Sequence, residues 1–185
     1  QKILSEAGVN FDIVRPNINE AEIKTSLVKE KYSGALIAEI LAEKKALQTS
    51  LKNPNAYVIG SDQVLEVDSK ILCKPLNMLA ARNQLLCLRG KNHLLHSFVC
   101  VLMNGIRLWH VIDTASMWMR EFSEDFLKDY FEALGDTVLN FPGAYCVDNR
   151  GIQLFSKIDG NYFTILGLPL LPLLKYLREQ KVIKL

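Results

Sequence analysis

The sequence lacks the features that mark membrane and nucleic-acid-binding proteins. No apolar run among its 185 residues reaches about 18 residues, the length that a membrane-spanning helix needs. The longest apolar stretch, FTILGLPLLPLL, is interrupted by Gly167, Pro169 and Pro172. The net charge is only +2, which gives no indication of a nucleic-acid or membrane partner. We therefore expect a protein without either kind of partner.

Cysteine and histidine are sparse and show no metal-binding spacing. The four cysteines, at 73, 87, 100 and 146, form no C-x-x-C pair and no zinc-ligand pattern. We expect four buried, reduced thiols in a cytoplasmic protein. Of the three histidines, His93 and His96 are predicted to lie on opposite faces of one strand. They are therefore interpreted as core or surface residues and not as ligands of a shared metal.

The common nucleotide-binding and esterase fingerprints are also absent. The chain contains no G-x-G-x-x-G, no G-x-x-x-x-G-K-[ST] and no G-x-S-x-G motif. Its first segment, QKILSEAG, has a helical pattern but no basic start or apolar signal core, so it does not resemble a signal peptide. Because this helical pattern begins at the first residue, we expect that an N-terminal piece is missing.

The residues that are present predict a single domain over 1–185 with an α/β fold. The composition is 49% hydrophobic and 23% charged, as in ordinary globular proteins of this length. Strands are predicted at NFDIVRP, YVIGSDQVLEV, SKILCKP and GIQLFSKIDG, and two long ones at a turn formed by Asn104 and Gly105. Asn77 and Ser123 are candidate helix N-caps, and Pro169 suits the first turn of a closing helix. Helices and hairpins in this order predict a mixed sheet with flanking helices.

One stretch, YVIGSDQVLEV, is unusual because polar residues stand in the middle of an apolar run. A buried carboxylate is costly unless it is paired, hydrogen-bonded or bound to metal. Asp62 therefore either has close partners or lies at the mouth of a site. We interpret the GSDQ segment as a break in the strand where it lines a cleft. Gly60 would then let the backbone approach a ligand closely.

Other charged residues could complete a phosphate-handling site with Asp62. Lys45 ends a helical stripe, Glu20 lies in NINEAE, Lys74 lies in CKP, and Lys91 follows a helix stop. Carboxylates can hold a divalent metal and activate water, while lysines neutralise phosphate charge. The alternative is that each residue belongs to a solvated face or to a local ion pair.

The order of these motifs resembles the Maf family, septum-formation-like proteins that act as nucleoside triphosphate pyrophosphatases. The matching segments are ILSEAGVNFDIVRPNINE, LAEKKA, VIGSDQV, CKP, LRGKNH, PGAY and IDGNYFTILGLPL. They occur in the family's order and span nearly the whole chain. IGSDQV together with the closing GLPL is the most specific part of the match.

The resemblance implies a fold with two lobes around a deep nucleotide-binding cleft. It implies hydrolysis of a nucleoside triphosphate to the monophosphate and pyrophosphate, with Mg²⁺ or Mn²⁺. Asp62 matches the residue that accepts a proton from the attacking water, and it would also contact the metal. Glu20 matches an acidic residue of the family and is a second candidate metal ligand and substrate contact. Lys45 and Lys74 match lysines placed against the triphosphate.

The chain also departs from the family pattern. The family's Ser/Thr-x-x-Arg phosphate-gripping loop would lie before the first residue, and Phe141 stands where a lysine is common. Gln63 and Asp148 match two positions that separate the family's substrate branches, and they resemble the 7-methyl-GTP branch more than the dTTP/UTP branch. A carboxylate at Asp148 could accept hydrogen bonds from guanine. The alternative is that Asp148 is a turn residue in VDNRG.

Three functional hypotheses remain open from the sequence. The first is a pyrophosphatase that leans to 7-methyl-GTP, with a dTTP/UTP enzyme as its variant. The second is a catalytically weakened nucleotide-binding regulatory protein on the same fold. The third is an unrelated α/β scaffold or interaction protein. Members of the family often form dimers, so a homodimer is also considered.

Overall fold

A computed structural model of the protein describes residues 2–148 and 150–184. The helices are α1 (Lys2–Glu6), α2 (Glu20–Lys29), α3 (Gly34–Lys52), α4 (Met78–Leu88), α5 (Glu124–Leu134), α6 (Tyr162–Ile165) and α7 (Leu170–Glu179). The strands are β1 (Val58–Val67), β2 (Lys70–Leu72), β3 (Asn92–Met103), β4 (Ile106–Met119) and β5 (Phe155–Asp159). Short 3₁₀ helices cover Gly135–Asn140, Pro142–Ala144 and Arg150–Leu154. The first residue of QKILSEAG and the asparagine of VDNRG lie outside the described residues.

The five strands form one sheet in the order β2-β1-β3-β4-β5. Both edge pairs are antiparallel: Leu65 of β1 lies opposite Leu72 of β2, and Met117 of β4 lies opposite Ile158 of β5. Helices precede, separate and follow these strands along the chain, so the predicted α/β fold is confirmed.

Contacts within the chain divide it into two compact units. The first comprises the described residues within 1–63, 96–113 and 161–185, and the second comprises 64–95 and 114–160. A core of the first unit contains Leu4, Val9, Val99, Val101, Leu168, Leu170, Leu173, Tyr176 and Leu177. Buried residues of the second unit include Val64, Leu65, Ala81, Leu85, Leu88, Met117, Leu127 and Leu154.

Several local signals in the sequence act as expected. The side chain of Asn77 accepts a hydrogen bond from the Ala80 N–H at 2.9 Å, which caps α4. Ser123 caps α5 in the same way. The turn residues Asn104 and Gly105 both have positive φ, as a type I′ hairpin turn requires. Pro169 is the N-cap residue of α7, one position before the predicted first turn.

Two predicted strands differ from the structure. Residues 10–16 form no strand, although they alternate in polarity. Ile13 and Val14 are 57% and 50% exposed, so the alternation buries no continuous face that a sheet could cover. In GIQLFSKIDG the strand begins only at Phe155, because Arg150–Leu154 forms a 3₁₀ helix. The polar segment 17–33 contains α2, which has no buried residue, in agreement with the expected exposed helix.

The cysteines were predicted to be uniformly buried, and this is wrong. Cys73 and Cys87 are exposed, Cys146 is half-buried, and only Cys100 is buried. All four are free thiols, as expected. Cys73 directly follows β2, and Cys87 lies on α4, whose buried residues are Ala81, Leu85 and Leu88. In the part of the chain that the structure describes, no helix combines the length and apolar character needed to cross a membrane.

Candidate active site

Three charged residues of the first unit converge at the middle of β1. Asp62 lies on β1, Lys45 on α3, and Glu20 is the first residue of α2. The Lys45 ammonium donates to Oδ1 of Asp62 at 2.5 Å and lies 2.7 Å from Oε2 of Glu20. One cation thus holds two carboxylates, which answers the question that Asp62 raised in the sequence.

The local sequence explains how each residue reaches this point. Asn19 caps α2 by accepting a hydrogen bond from the Glu22 N–H at 3.2 Å, so the helix begins at Glu20. Ser33 caps α3 through the Leu36 N–H at 3.3 Å, and the long helix then carries Lys45. These two N-caps therefore determine where α2 and α3 begin, and so where Glu20 and Lys45 lie.

The strand side of the cluster differs from the expectation. Residues 58–67 form one uninterrupted strand, so the predicted break at GSDQ is wrong. The polar residues are accommodated because distant segments supply their partners. Ser61, for example, donates to the Phe98 and Gly167 carbonyls at 2.8 and 2.9 Å.

The interpretation of Gly60 also needs correction. A Cβ at this position would lie 2.4 Å from the Ala42 carbonyl oxygen and 2.6 Å from the Ala46 Cβ. Helix α3, and not a ligand, therefore lies against the backbone at Gly60. The glycine brings α3, and with it Lys45, close to the strand that carries Asp62.

Burial and charge act in opposite directions on the central pair. Burial raises the pKa of the Asp62 carboxyl above its usual range, and the attraction of Lys45 only partly offsets this effect. Burial also disfavours the charged form of Lys45, but the two carboxylates outweigh it and raise its pKa. Lys45 thus stays protonated, while Asp62 has a higher proton affinity than an ordinary aspartate. A carboxylate tuned in this direction suits general-base chemistry.

Gln63, the next residue on β1, makes a separate set of contacts. Its amide nitrogen donates to the Ser97 hydroxyl oxygen at 3.0 Å and to the carbonyls of Thr164 and Ile165 at 2.9 and 3.0 Å. Ser97 and Thr164 are fully buried. The side chain of Gln63 is therefore fixed within the first unit, between β3 and α6.

The other two predicted site residues belong to the second unit. Lys74 is exposed between β2 and α4. Asp148 is exposed in a turn, which agrees with the alternative that it is a turn residue. Neither observation tests the roles that the resemblance assigns to these residues.

The cluster at Asp62 has donor atoms that fit a divalent metal. Two carboxylates already converge on one cation, which is the donor type that Mg²⁺ and Mn²⁺ prefer. Residues 2–148 and 150–184 contain no group of three or more histidine, cysteine or acidic side chains that could hold a metal. A metal held by Asp62 and Glu20 would therefore complete its shell with water and substrate oxygens, as Mg²⁺ commonly does.

Several polar residues near these sites were missed in the sequence. Ser97 and Thr164 were not singled out, although each is a polar residue within an apolar run. The buried pair of His93 and Tyr145 in the second unit was also missed: Nε2 of His93 lies 2.7 Å from the Tyr145 hydroxyl. The signal that could have indicated them is a polar residue within an apolar run. Their partners are far away in the sequence, so local patterns do not reveal the contacts.

Comparison with known proteins gives a consistent result over the whole chain. The family model for Maf-like proteins matches residues 1–180. A nucleoside triphosphate pyrophosphatase of Rhodospirillum rubrum is 45% identical over 182 residues, which cover 98% of this chain and 90% of that protein. A 7-methyl-GTP pyrophosphatase of Brucella abortus is 45% identical over 181 residues, which cover 98% of this chain and 91% of that protein. A nucleoside triphosphate pyrophosphatase of Paramagnetospirillum magneticum is 43% identical over 178 residues, covering 96% and 92%.

Proposed function

Because the chain belongs to the Maf-like protein family, we propose that it hydrolyses a nucleoside triphosphate to the monophosphate and pyrophosphate. Two relatives, each 45% identical to this chain, are named nucleoside triphosphate pyrophosphatase and 7-methyl-GTP pyrophosphatase. Family membership also removes the third hypothesis, an unrelated scaffold. The weakened nucleotide-binding protein remains an outcome of the experiment below.

The observation that carries the proposal is the Lys45 ammonium held between Asp62 and Glu20. In the reaction, water adds to phosphorus and the P–O bond that bridges the α- and β-phosphoryl groups breaks. Asp62 accepts the proton of that water, and its raised pKa makes it a stronger base than an ordinary aspartate. The leaving pyrophosphate carries the negative charge that develops.

Lys45 stabilises that negative charge. Its side chain is 21% exposed, so a triphosphate can compete with the two carboxylates for the ammonium. When the ammonium moves onto phosphate oxygens, it no longer occupies Oδ1 of Asp62. Substrate binding then frees the base at the moment when it is needed. Lys74 is included in the proposal as a second lysine for the triphosphate.

Asp62 and Glu20 would hold the Mg²⁺ or Mn²⁺ that the family resemblance implies. When bound, such an ion supplies positive charge to the phosphate oxygens and lowers the pKa of coordinated water. Calorimetric titration of Mn²⁺ into the free protein tests this part without a reaction. Glu20→Gln should weaken binding, whereas Glu22→Gln, on the same helix, should not.

Base selection is assigned to Gln63 and Asp148, with 7-methyl-GTP as the favoured substrate and dTTP or UTP as the alternative. Support comes from the 45% identity to a 7-methyl-GTP pyrophosphatase. Asp148 would accept hydrogen bonds from the guanine N–H groups and favour the positive charge of a methylated ring.

We extend the proposal to the location of the protein in the cell and to its oligomeric state. Four free thiols fit the reducing cytoplasm, and a net charge of +2 gives no support for nucleic-acid binding. A homodimer is supported by apolar side chains along β4: Ile106, Leu108 and Ile112 are 65%, 46% and 41% exposed. Sedimentation velocity over a wide concentration range tests the dimer, and a monomer throughout would remove it.

The decisive experiment measures pyrophosphate release with Mg²⁺ or Mn²⁺ from 7-methyl-GTP, GTP, dTTP, UTP and CTP. Asp62→Asn should lower kcat by at least about 100-fold, since general-base catalysis typically contributes 10²–10⁴. Asp12→Asn, an exposed aspartate, serves as the matched control and should leave kcat unchanged. Nucleotide binding without release from any of the five would support the weakened regulatory protein instead.

A further inference from the structure

The carboxamide of Gln84, on α4, joins two segments of the second unit. Its amide nitrogen donates to the Cys73 carbonyl at 2.8 Å, and its Oε1 accepts from the Gly143 N–H at 2.8 Å. A carbonyl can only accept and a backbone N–H can only donate, so one orientation of the amide satisfies both partners. Gln84 is therefore a bridge of fixed polarity between the end of β2 and the turn at Pro142–Ala144.

The Gly143 side of this bridge is firmly placed. Gly143 is buried and has a φ of +77°, and an added Cβ would lie 2.8 Å from two neighbouring side chains. The next residue, Ala144, accepts a hydrogen bond from the Tyr130 hydroxyl at 3.1 Å. The N–H that contacts Gln84 thus belongs to a tightly packed turn, which holds the glutamine in place.

The Cys73 side of the bridge lies next to Lys74. Strand β2 ends at Leu72, so the Cys73 carbonyl follows the strand, and Gln84 provides its donor. On the other side of Lys74, the ring of Pro75 fixes its own φ and restricts Lys74 to extended conformations. Pro75 is buried, whereas Lys74 is exposed. The backbone that carries Lys74 is therefore held on both sides, while its side chain reaches solvent.

We propose that Gln84 is a positioning residue: by holding the Cys73 carbonyl it orders the backbone at Lys74, so that the ammonium is presented to the phosphate chain of the substrate. The inference rests on the proposed function, which gives Lys74 its contact with the triphosphate. Ordering a flexible segment on binding reduces affinity. Because the backbone at Lys74 is ordered in advance, only its side-chain rotamers remain to be fixed. The effect of Gln84 on phosphate binding should therefore pass through Lys74.

A double-mutant cycle tests this dependence. Calorimetry measures the binding of inorganic tripolyphosphate with Mg²⁺ to the wild type, Lys74→Met, Gln84→Met and the double variant. Lys74→Met should weaken binding by about tenfold or more, as expected for a charged contact. Gln84→Met, which loses both hydrogen bonds at similar side-chain size, should weaken it by about two- to tenfold. In the Lys74→Met background, Gln84→Met should have no further effect.

Tyr130→Phe is the matched control for Gln84→Met. It removes the hydrogen bond to the Ala144 carbonyl, in the same turn that Gln84 contacts, but it leaves the Cys73 carbonyl untouched. Both variants lose hydrogen bonds of the second unit, and urea denaturation compares their stabilities. Only Gln84→Met should weaken tripolyphosphate binding. Equal weakening in both variants would overturn the positioning role.

The cycle itself has two further decisive outcomes. A loss from Gln84→Met that is equally large with and without Lys74→Met would overturn the inference, because the effect would not pass through Lys74. Tripolyphosphate binding that is absent in the wild type, or unchanged in Lys74→Met, would overturn it as well. If Gln84→Met does not fold, Gln84→Asn, whose amide is one methylene shorter, takes its place in the cycle.

The binding measurement is independent of the reaction. Tripolyphosphate titrations require no turnover, so absent pyrophosphate release from every nucleotide would remove the proposed function and leave the cycle measurable. Conversely, pyrophosphate release together with an additive cycle would keep the proposed function and remove the role of Gln84.

Discussion

The Lys45 ammonium lies 2.5 Å from Oδ1 of Asp62, and the aspartate is the more deeply buried partner: its side chain is 9% exposed against 21% for the lysine. A buried ion pair of this kind is weak evidence for stability, because desolvation offsets much of the attraction. It is better understood as a way to keep a carboxylate ionised in a place where burial favours its protonation. The proton affinity of Asp62 and the compensation of its negative charge therefore both depend on Lys45.

This dependence predicts the acid limb of the pH–rate profile. Asp62 works only when ionised, and its folded pKa is raised above 3.8, so kcat/KM should begin to fall at a higher pH than for an ordinary aspartate. Lys45→Met removes the attraction that lowers this pKa. The limb should then move to still higher pH, in addition to a lower kcat. Profiles of hydrolysis from pH 4 to 9 measure both effects.

Lys45→Arg and Lys128→Met provide the comparison for that profile. Arginine keeps the positive charge, so the limb should stay closer to the wild-type position. Lys128 is exposed on α5 and should leave the profile unchanged. An acid limb that does not move in Lys45→Met would mean that a group other than Asp62 controls it.

His93 predicts a pH dependence of stability in the second unit. The residue is 1% exposed, and burial lowers the pKa of its ring from 6.5 to about 4. As pH falls through 6.5, the unfolded chain binds a proton that the folded chain does not accept until about pH 4. Stability should therefore be lost as pH falls across this window. At 1.36 kcal/mol per pKa unit the loss approaches ~3 kcal/mol.

Urea denaturation at several pH values between 7.5 and 4.5 measures this loss. His93→Gln removes the titrating ring and keeps a polar group near the Tyr145 hydroxyl, so its free energy of unfolding should vary less with pH. His110→Gln, at an exposed histidine, is the control and should retain the wild-type slope. A slope that is the same in all three proteins would assign the pH dependence to other groups.

Sequence reasoning reached the charged centre but not its support. Asp62 could be found because a carboxylate in an apolar run requires a partner. The resemblance assigned Glu20, Lys45 and Asp62 to one site, but that Lys45 is the partner of Asp62 came from the structure, since spacing alone cannot show that 20, 45 and 62 meet. The capping residues Asn77 and Ser123 were predictable because a cap acts within three residues of itself.

The misjudged features all depend on contacts between distant parts of the chain. The strand through Ser61 continues because carbonyls near residues 98 and 167 satisfy its hydroxyl. The side chain of Gln63 donates to Ser97 and to the Thr164 carbonyl, which are far away in the sequence. Local propensity contains no information about these partners, so the polar segment looked like a break although the strand is uninterrupted.

Gly60 offers the clearest test of how the fold supports the site. Its backbone φ is not in the left-handed region, so alanine there would carry no conformational strain of its own. The added Cβ would instead meet the Ala42 carbonyl oxygen at 2.4 Å, which requires α3 to move away from β1. Overpacking of this kind typically costs about 1–3 kcal/mol, and we expect Gly60→Ala to lie at the upper end because the obstacle is backbone.

Gly8→Ala separates steric from conformational cost. Gly8 has φ of +72° and no atom within 4 Å of an added Cβ, so its substitution should cost only the left-handed strain of about 1–2 kcal/mol. It should leave activity unchanged. Gly60→Ala should lower kcat as well as stability, because moving α3 carries Lys45 away from Asp62. Urea denaturation and pyrophosphate release on both variants measure the two effects. Full activity in a destabilised Gly60→Ala protein would contradict a role for α3 in positioning Lys45, since the helix could then shift without disturbing the reaction.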